Sequence, residues 1–343
     1  MKRTAAIVLA LFIAIVFATP AFSALSTPIV RVNLTKNTVI TQQQLDEKLS
    51  IYKEAYGDSI DAATVLDAMV SDELLAQAME RDGFVLNDEA KDQILAAQRS
   101  SIEQQIGMAL TDEQFAQVVL NNYGVSVDQL KDYLAEQYIV QQYVMAKKAD
   151  MFTEENVMPT NAEVEEYYKK NKSSFVSPEN VKLSHIFFEY GSDKSAALKK
   201  ATEVSNMIKN GKITFEKAVT QYSEDKNSID SAGDIGWLAI NDSDNIEYMG
   251  QSFFDGVFAL DAGEVSGVIE SNAGYHIVKV SVHNDTKILG IDDKTSPTSD
   301  VTVREYIASG IYESKLNSVF QQAYVSLITD LKDQASIKYL KTV

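Results

Sequence analysis

In the first part of the chain, apolar side chains return every third or fourth position. Val65, Met69, Leu74, Leu75 and Met79 form one such stripe. Phe115, Val118 and Val119, then Leu130, Leu134, Ile139 and Tyr143, form others. This period predicts amphipathic helices over much of residues 29–158. Three capping signatures mark helix starts: Thr41 with Gln44, Thr111 with Gln114, and Ser126 with Gln129. Ile29-Val30-Arg31-Val32 alternates and predicts one strand ahead of them. The stripes read as core. Methionine-bearing helical surfaces would also suit a groove for apolar peptide segments.

Proline then punctuates the chain at Pro159, Pro178 and Pro297. Thr160-x-x-Glu163 opens a short charged helix after Pro159. From 179 the texture changes. Residues 181–190 (VKLSHIFFEY) predict a buried strand, and 193–210 and 214–222 predict helices around Asn210-Gly211. Gln251–Leu260 predicts a further short helix. Val265–Glu270 and Tyr275–Val282 predict strands joined by Asn272-Ala273-Gly274. Strand, helices, strand, strand is the order of a small α+β domain. Residues 286–300 read as a polar linker, and 301–334 as an amphipathic helix. Ile311, Leu316, Val319, Phe320, Tyr324, Leu327, Ile328 and Leu331 share its apolar face. Alone, that face would lie in water, so the expected partner is the N-terminal helical block. The expected fold class is α+β, with a compact domain inserted between parts of a mainly α-helical one. The boundaries are 24–177 for the helical block and its link, 178–285 for the inserted domain, and 286–343 for the linker and returning helix.

Composition narrows the function. The 343 residues carry a net charge of −18 and no Cys. Thiol nucleophiles, disulfides, Cys-bound metals and lipid-bearing cysteines are excluded. Three His leave little for an imidazole metal site, and no metal or cofactor is expected. An acidic chain without a basic run is a poor partner for nucleic acid or anionic lipid. Residues 1–23 read as a secretory signal. Lys2 and Arg3 precede an apolar run at 5–18, which is too short to span a bilayer, and Ala21-Phe22-Ser23 offers a cleavage site. An uncleaved anchor is the alternative. Cleavage near Ser23 would give a periplasmic or otherwise secreted protein, not a lipoprotein, and would remove two cations.

Candidate chemistry concentrates in the middle domain, which holds His185, His276 and His283. His185 and His276 lie in apolar strand patterns, where a histidine is commonly a satisfied core residue. Alternation turns Tyr275 and His276 to opposite faces. His283 follows the last strand and reads as solvated. The loop from Gln221 to Trp237 gathers Ser223, Glu224, Asp225, Gly233, Asp234 and the sole Trp. Taken alone, it reads equally as a solvated turn with a packing Trp.

Five segments in order give residues 181–283 a specific resemblance. They are the strand ending Ser184-His185-Ile186; Phe215, Ala218 and Tyr-Ser-Glu-Asp; Gly233-Asp-Ile-Gly-Trp237; Phe-Ala-Leu-x-x-Gly-Glu-Val-Ser (258–266); and Gly-Tyr-His-Ile-Val (274–278). Together they resemble a parvulin-type peptidyl-prolyl cis-trans isomerase domain. The flanks, through Glu163-x-x-x-Tyr167-Tyr168-x-x-Asn171 and their helical texture, are similar to the periplasmic chaperone-isomerases of the SurA and PrsA type.

The resemblance implies roles. His185 and His276 match the paired active-site histidines, and Asp225 matches a position that is Cys or Asp in the family. Ile235, Met249 and Phe253 match the apolar cup for the proline ring, and Ser271 a hydroxyl position near the second His. Ala273 stands where some members carry Ser. Glu189-Tyr190-Gly191-Ser192-Asp193 is acidic where phosphopeptide-selective members are basic, so no phosphopeptide preference is expected. The implied activity is non-covalent twisting of X–Pro amides in unfolded or nascent exported proteins. The alternatives are a holdase chaperone with a weakly active or inactive parvulin domain, and a structural envelope protein that kept the fold. A homodimer is compatible with the pattern.

Overall fold

The computed structural model describes residues 27–341, so residues 1–23, which read as a secretory signal in the sequence, lie outside the described residues. The chain forms two compact units. One comprises residues up to Met158 together with Tyr312 onward, and the other is Pro159–Ile311.

In chain order the first unit opens with β1 (Pro28–Asn33), β2 (Asn37–Thr41), α1 (Gln42–Tyr56) and α2 (Ala62–Arg81). α3 (Asp88–Ile106), α4 (Asp112–Tyr123), α5 (Val127–Lys147) and the one-turn α6 (Glu154–Val157) follow. The second unit starts with α7 (Asn161–Asn171), β3 (Val176–Ser177), β4 (Asn180–Glu189), α8 (Lys194–Lys209) and α9 (Phe215–Tyr222). It continues through β5 (Asp234–Ala239), α10 (Ser243–Met249), α11 (Gln251–Phe258), β6 (Ile269–Glu270), β7 (Gly274–Asn284) and β8 (Lys287–Ile288). The long α12 (Val303–Gln334) begins in the second unit and continues into the first, which ends with β9 (Ser336–Tyr339).

The local starts are chemical. Thr41, Thr111, Ser126 and Thr160 each cap a helix, with the Gln or Glu three residues on returning the bond to the cap amide. These reciprocal bonds satisfy donors that the helix itself leaves open.

The core of the first unit joins the two ends of the sequence. Val30, Val32, Leu45, Val65, Leu74 and Tyr143 pack in one cluster with Phe320, Ala323, Leu327 and Leu331 of α12. β1 is the middle strand, paired antiparallel with both β2 and β9. α3, α4 and α5 hold a separate small core of Ile102, Phe115, Val119 and Leu130. The β1–β2 turn is fixed by a buried amide. Gln77 on α2 accepts the backbone N–H groups of Leu34, Thr35 and Lys36 at 3.0, 2.9 and 3.2 Å. Its Nε2 donates to Glu73 and Thr38. Gln77→Leu removes the acceptor and buries nothing polar in its place. The turn is accessible enough for water to replace part of the loss. The expected cost is about 2 kcal/mol, read from the urea midpoint by far-UV circular dichroism.

The second unit is built on an antiparallel sheet of order β5-β4-β7-β6. Strand alternation sorts its side chains to two faces. Ile186, Phe188, Tyr275 and Ile277 pack with Ala197, Ala201 and Val204 of α8 and Phe215, Ala218 and Val219 of α9. Val181, Leu183, Val278 and Val280 pack on the other face with Phe253, Phe254 and Val257 of α11.

Three expectations are corrected. The run 265–270 pairs as a strand only at Ile269–Glu270, with a lone bridge from Val265 to Lys279. The Ser266 hydroxyl takes the Val278 amide at 2.8 Å, which interrupts a regular ladder. His283 is not solvated: Nδ1 donates to the Leu260 carbonyl at 2.6 Å, and Nε2 lies 2.9 Å from Glu179. Residues 286–300 are not a free linker. β8 pairs with β3, and Leu289 packs with Val164, Val303 and Ile307. Those contacts also place residues 159–177 and 286–311 with the second unit, outside the 178–285 boundaries.

Candidate active site

β4 and β7 lie side by side, with His185 opposite Val278 and Phe187 opposite His276. His185 and His276 are therefore diagonal neighbours on the α11 face. Their rings lie 5.1 Å apart at 34°, and the two Nδ1 atoms are 3.1 Å apart. His185 Nε2 is 2.9 Å from Asp225 Oδ2, and His276 Nε2 is 2.8 Å from Ser271 Oγ.

The donor and acceptor inventory orders this row. A carboxylate only accepts, so His185 donates from Nε2 and, when neutral, accepts at Nδ1. His276 then donates from Nδ1 and accepts at Nε2 from the Ser271 hydroxyl. That hydroxyl oxygen in turn receives the Ala273 and Gly274 amides. At the far end Asp225 accepts from Ser228 Oγ at 2.6 Å and from the Asn227 amide at 3.1 Å. Every proton has a place, and the row runs in one direction from Ser271 to Asp225. The tautomers are assigned from these partners.

Electrostatics agree with a neutral pair. Burial, with the neighbouring His185 adding to it, pushes His276 down to about 3. Burial also lowers His185, against the pull of Asp225. For Asp225 burial acts upward, but hydrogen bonds from Ser228, His185 and the Asn227 amide outweigh it and hold the carboxyl below its ordinary value.

Beside this polar row lies the apolar group. The Phe253 ring meets His276 edge-on at 4.9 Å. Ile235 and Met249, both half-buried, pack on the Phe253 cluster. Phe187 contacts both histidine rings, at 6.0 and 4.8 Å. All seven residues singled out in the sequence thus fall in one neighbourhood: His185, Asp225 and His276 with Ser271, beside Ile235, Met249 and Phe253. Ser228, Phe187 and the Asn272 clamp described below were not singled out. Ser228 lies in the same polar loop as Asp225, but nothing local distinguishes its hydroxyl from those of Ser223 or Ser231. Among the described residues no group of His, Asp and Glu is arranged to hold a metal ion.

The stretch that carries this four-stranded antiparallel sheet and the histidine pair is a parvulin-type domain: residues 185–282 match the family model of the PPIC-type PPIase, or rotamase, domain. The chain as a whole is similar to foldases. It is 28% identical over 284 residues to the foldase protein PrsA of Halalkalibacterium halodurans, covering 83% of this chain and 73% of that one. It is 24% identical over 339 residues to the PrsA of Clostridium botulinum strain Okra, covering 93% and 90%. Among solved structures, the crystal structure of PrsA from Bacillus subtilis is 25% identical, with 86% of this chain and 94% of that one covered and a TM-score of 0.25. One of the SurA-like chaperones of Campylobacter jejuni is 14% identical, with 92% and 100% covered and a TM-score of 0.37. The chain therefore carries a parvulin-type peptidyl-prolyl isomerase domain and resembles the PrsA foldases over most of its length.

Proposed function

We propose that this chain is an exported peptidyl-prolyl cis-trans isomerase and folding chaperone that acts on unfolded proteins with X–Pro bonds. The observation that carries the reading is the convergence of the apolar group Ile235, Met249 and Phe253 with the polar row from Ser271 to Asp225. Rotation about an X–Pro amide is slow because resonance stiffens the C–N bond. No covalent bond breaks, so the catalyst has only to favour the twisted amide over the planar ones. The cup holds the proline ring. The planar amide places partial negative charge on its oxygen, and twisting reduces it. A carboxylate fixed near that oxygen disfavours the planar forms more than the twisted one. Asp225 fills this role, and the histidines hold it in place without exchanging protons.

Export rests on the apolar leader at 5–18. Among the described residues no helix is long and apolar enough to cross a membrane. The chaperone part rests on the names of the relatives and on the helical unit. That unit exposes Val85, Ile106, Met108, Leu120 and Tyr123, side chains that can take up apolar stretches of a client. Ala273 favours the second reading, a holdase with poor turnover, because one hydroxyl of the site is missing.

The test is cis–trans exchange of a short Ala-Pro peptide with the chain beginning at Ala24. Acceleration is expected, with a fall of about tenfold or more in Asp225→Ala and a weaker peptide interaction in Met249→Ala. No acceleration, with aggregation of an unfolded protein still suppressed, would establish the holdase instead.

A further inference from the structure

We infer that Asn272 is a positioning residue for prolyl exchange, holding the apolar cup at a fixed distance from the polar row. This rests on the isomerase reading above.

Met249 and Phe253 flank Gly250, the joint between α10 and α11. The polar row ends at Ser271, in the turn that leads into β7. These two parts come from different stretches of chain, and beyond the Phe253–His276 ring contact Asn272 ties them together by hydrogen bonds. A helix leaves its last four carbonyls without partners inside the helix. In α10 the first of these, Ile246, is taken by the Gly250 amide at 2.8 Å. Asn272 takes the other three. Its side-chain Nδ2 donates to the carbonyls of Glu247 at 3.0 Å and Tyr248 at 3.3 Å. Its backbone N–H donates to the carbonyl of Met249 at 2.9 Å.

Gly250 makes room for this. Its φ is +92°, and a Cβ there would lie 2.9 Å from Asn272 Oδ1. The side-chain amide therefore lies over the joint in space that a side chain at 250 would occupy.

The turn is anchored equally well on its other side. Ser271 N–H donates to the Gly274 carbonyl at 2.8 Å, and the Tyr190 hydroxyl lies 2.7 Å from both the Ser271 carbonyl and the Glu270 carboxylate, which share its one proton. The residue that fixes the cup is thus the immediate neighbour of the one that orients His276. A shift of the joint would move the proline ring, and with it the amide oxygen, relative to Asp225. A misplacement of about 1 Å can cost on the order of 100-fold in rate. Asn272 itself is exposed. Water can replace its bonds, so its removal should leave the fold standing and alter the geometry.

The experiment measures the concentration dependence of exchange of an Ala-Pro peptide with the chain from Ala24, alongside its melting temperature. For Asn272→Ala the expected result is a loss of about tenfold in turnover, with half-saturation changed by less than about twofold, because the cup remains but is misplaced. Asn272→Asp supplies a second readout. Its carboxylate faces two carbonyls at neutral pH and regains a donor when protonated. Its turnover relative to wild type at the same pH should rise as pH falls from about 6 into the ordinary carboxylate range at about 4. Three results would overturn the inference: unchanged turnover in Asn272→Ala, a loss no greater than the loss of folded protein, or a rise in half-saturation with turnover intact. A ratio for Asn272→Asp that ignores pH would equally refute the donor role. A wild-type chain that does not accelerate exchange overturns the isomerase reading and this inference with it, and is distinguished by its failure before any variant is compared.

Discussion

Gly274→Ala should prevent the second unit from folding, or destabilise it by at least about 4 kcal/mol. A Cβ on Gly274 would lie 2.2 Å from the carbonyl oxygen of Phe188 and 2.6 Å from the ring of Phe187. The first neighbour is backbone of β4 where it pairs with Tyr275 and Gly274, and it cannot move without breaking the ladder to β7. The second is the ring that packs on His276 at 4.8 Å. The substitution therefore pushes on the ladder and on the histidine pair together. Trp237, the chain's sole tryptophan, lies on β5 and reports on this unit. Its fluorescence in urea should show the transition lost or shifted far down. The neighbouring Ala273→Ser, at an exposed position, should leave it in place. An unchanged midpoint in Gly274→Ala would mean that the close β4–β7 approach does not depend on the missing side chain.

Acid should weaken the same unit well before its carboxylates titrate. His276 is held at about 3, and His185 is also lowered, both by burial. A histidine whose folded pKa is depressed leaves the native state neutral while the unfolded chain takes up a proton. Stability is complete above the ordinary histidine value of about 6.5 and falls as pH drops from there toward the folded value. At pH 5 the His276 contribution alone is roughly 2 kcal/mol. Asp225 adds a loss below the ordinary carboxylate range, because its folded pKa is also lowered. His283 works the other way. Its bonds to the Leu260 carbonyl and Glu179 raise it, so it contributes below about 6.5 and loses that contribution as pH rises through its folded value. The two deeply buried rings outweigh the partly buried His283, so the net slope is toward instability in acid. Urea midpoints followed by Trp237 should fall steadily from pH 7 to about pH 5. A flat profile would mean that the pair already carries a proton in the native state.

The sequence disclosed most where the determinant is local. The four capping boxes at Thr41, Thr111, Ser126 and Thr160 depend on residues three apart, and each forms. Strand alternation at Tyr275 and His276 held for the same reason, and it turned His276 toward Phe253. Pairings between distant segments were not visible. β9 has an undistinguished sequence, Ser-Ile-Lys-Tyr, and becomes a strand because β1 has an open edge. Residues 286–300 are polar in composition, yet β8 pairs with β3 and Leu289 is buried beneath Tyr168. His283 read as solvated because its partners, Leu260 and Glu179, are remote in sequence. In the candidate site, the residue types came from a family pattern. The direction of the hydrogen-bond row, the role of Ser228 and the clamp at Asn272 came only from geometry.

The pairing of β1 with β9 has a consequence for the order in which this molecule can be made. Val30 faces Tyr339, and the core around Val30 includes Phe320, Leu327 and Leu331. Synthesis delivers a chain from its amino end. β1 therefore emerges with only β2 beside it and waits until Ser336–Tyr339 has been made before its second neighbour arrives. Contacts closed over such a span form late and leave apolar surface open meanwhile. During that interval a chain that resembles foldases itself presents open apolar surface of the kind that unfolded clients present.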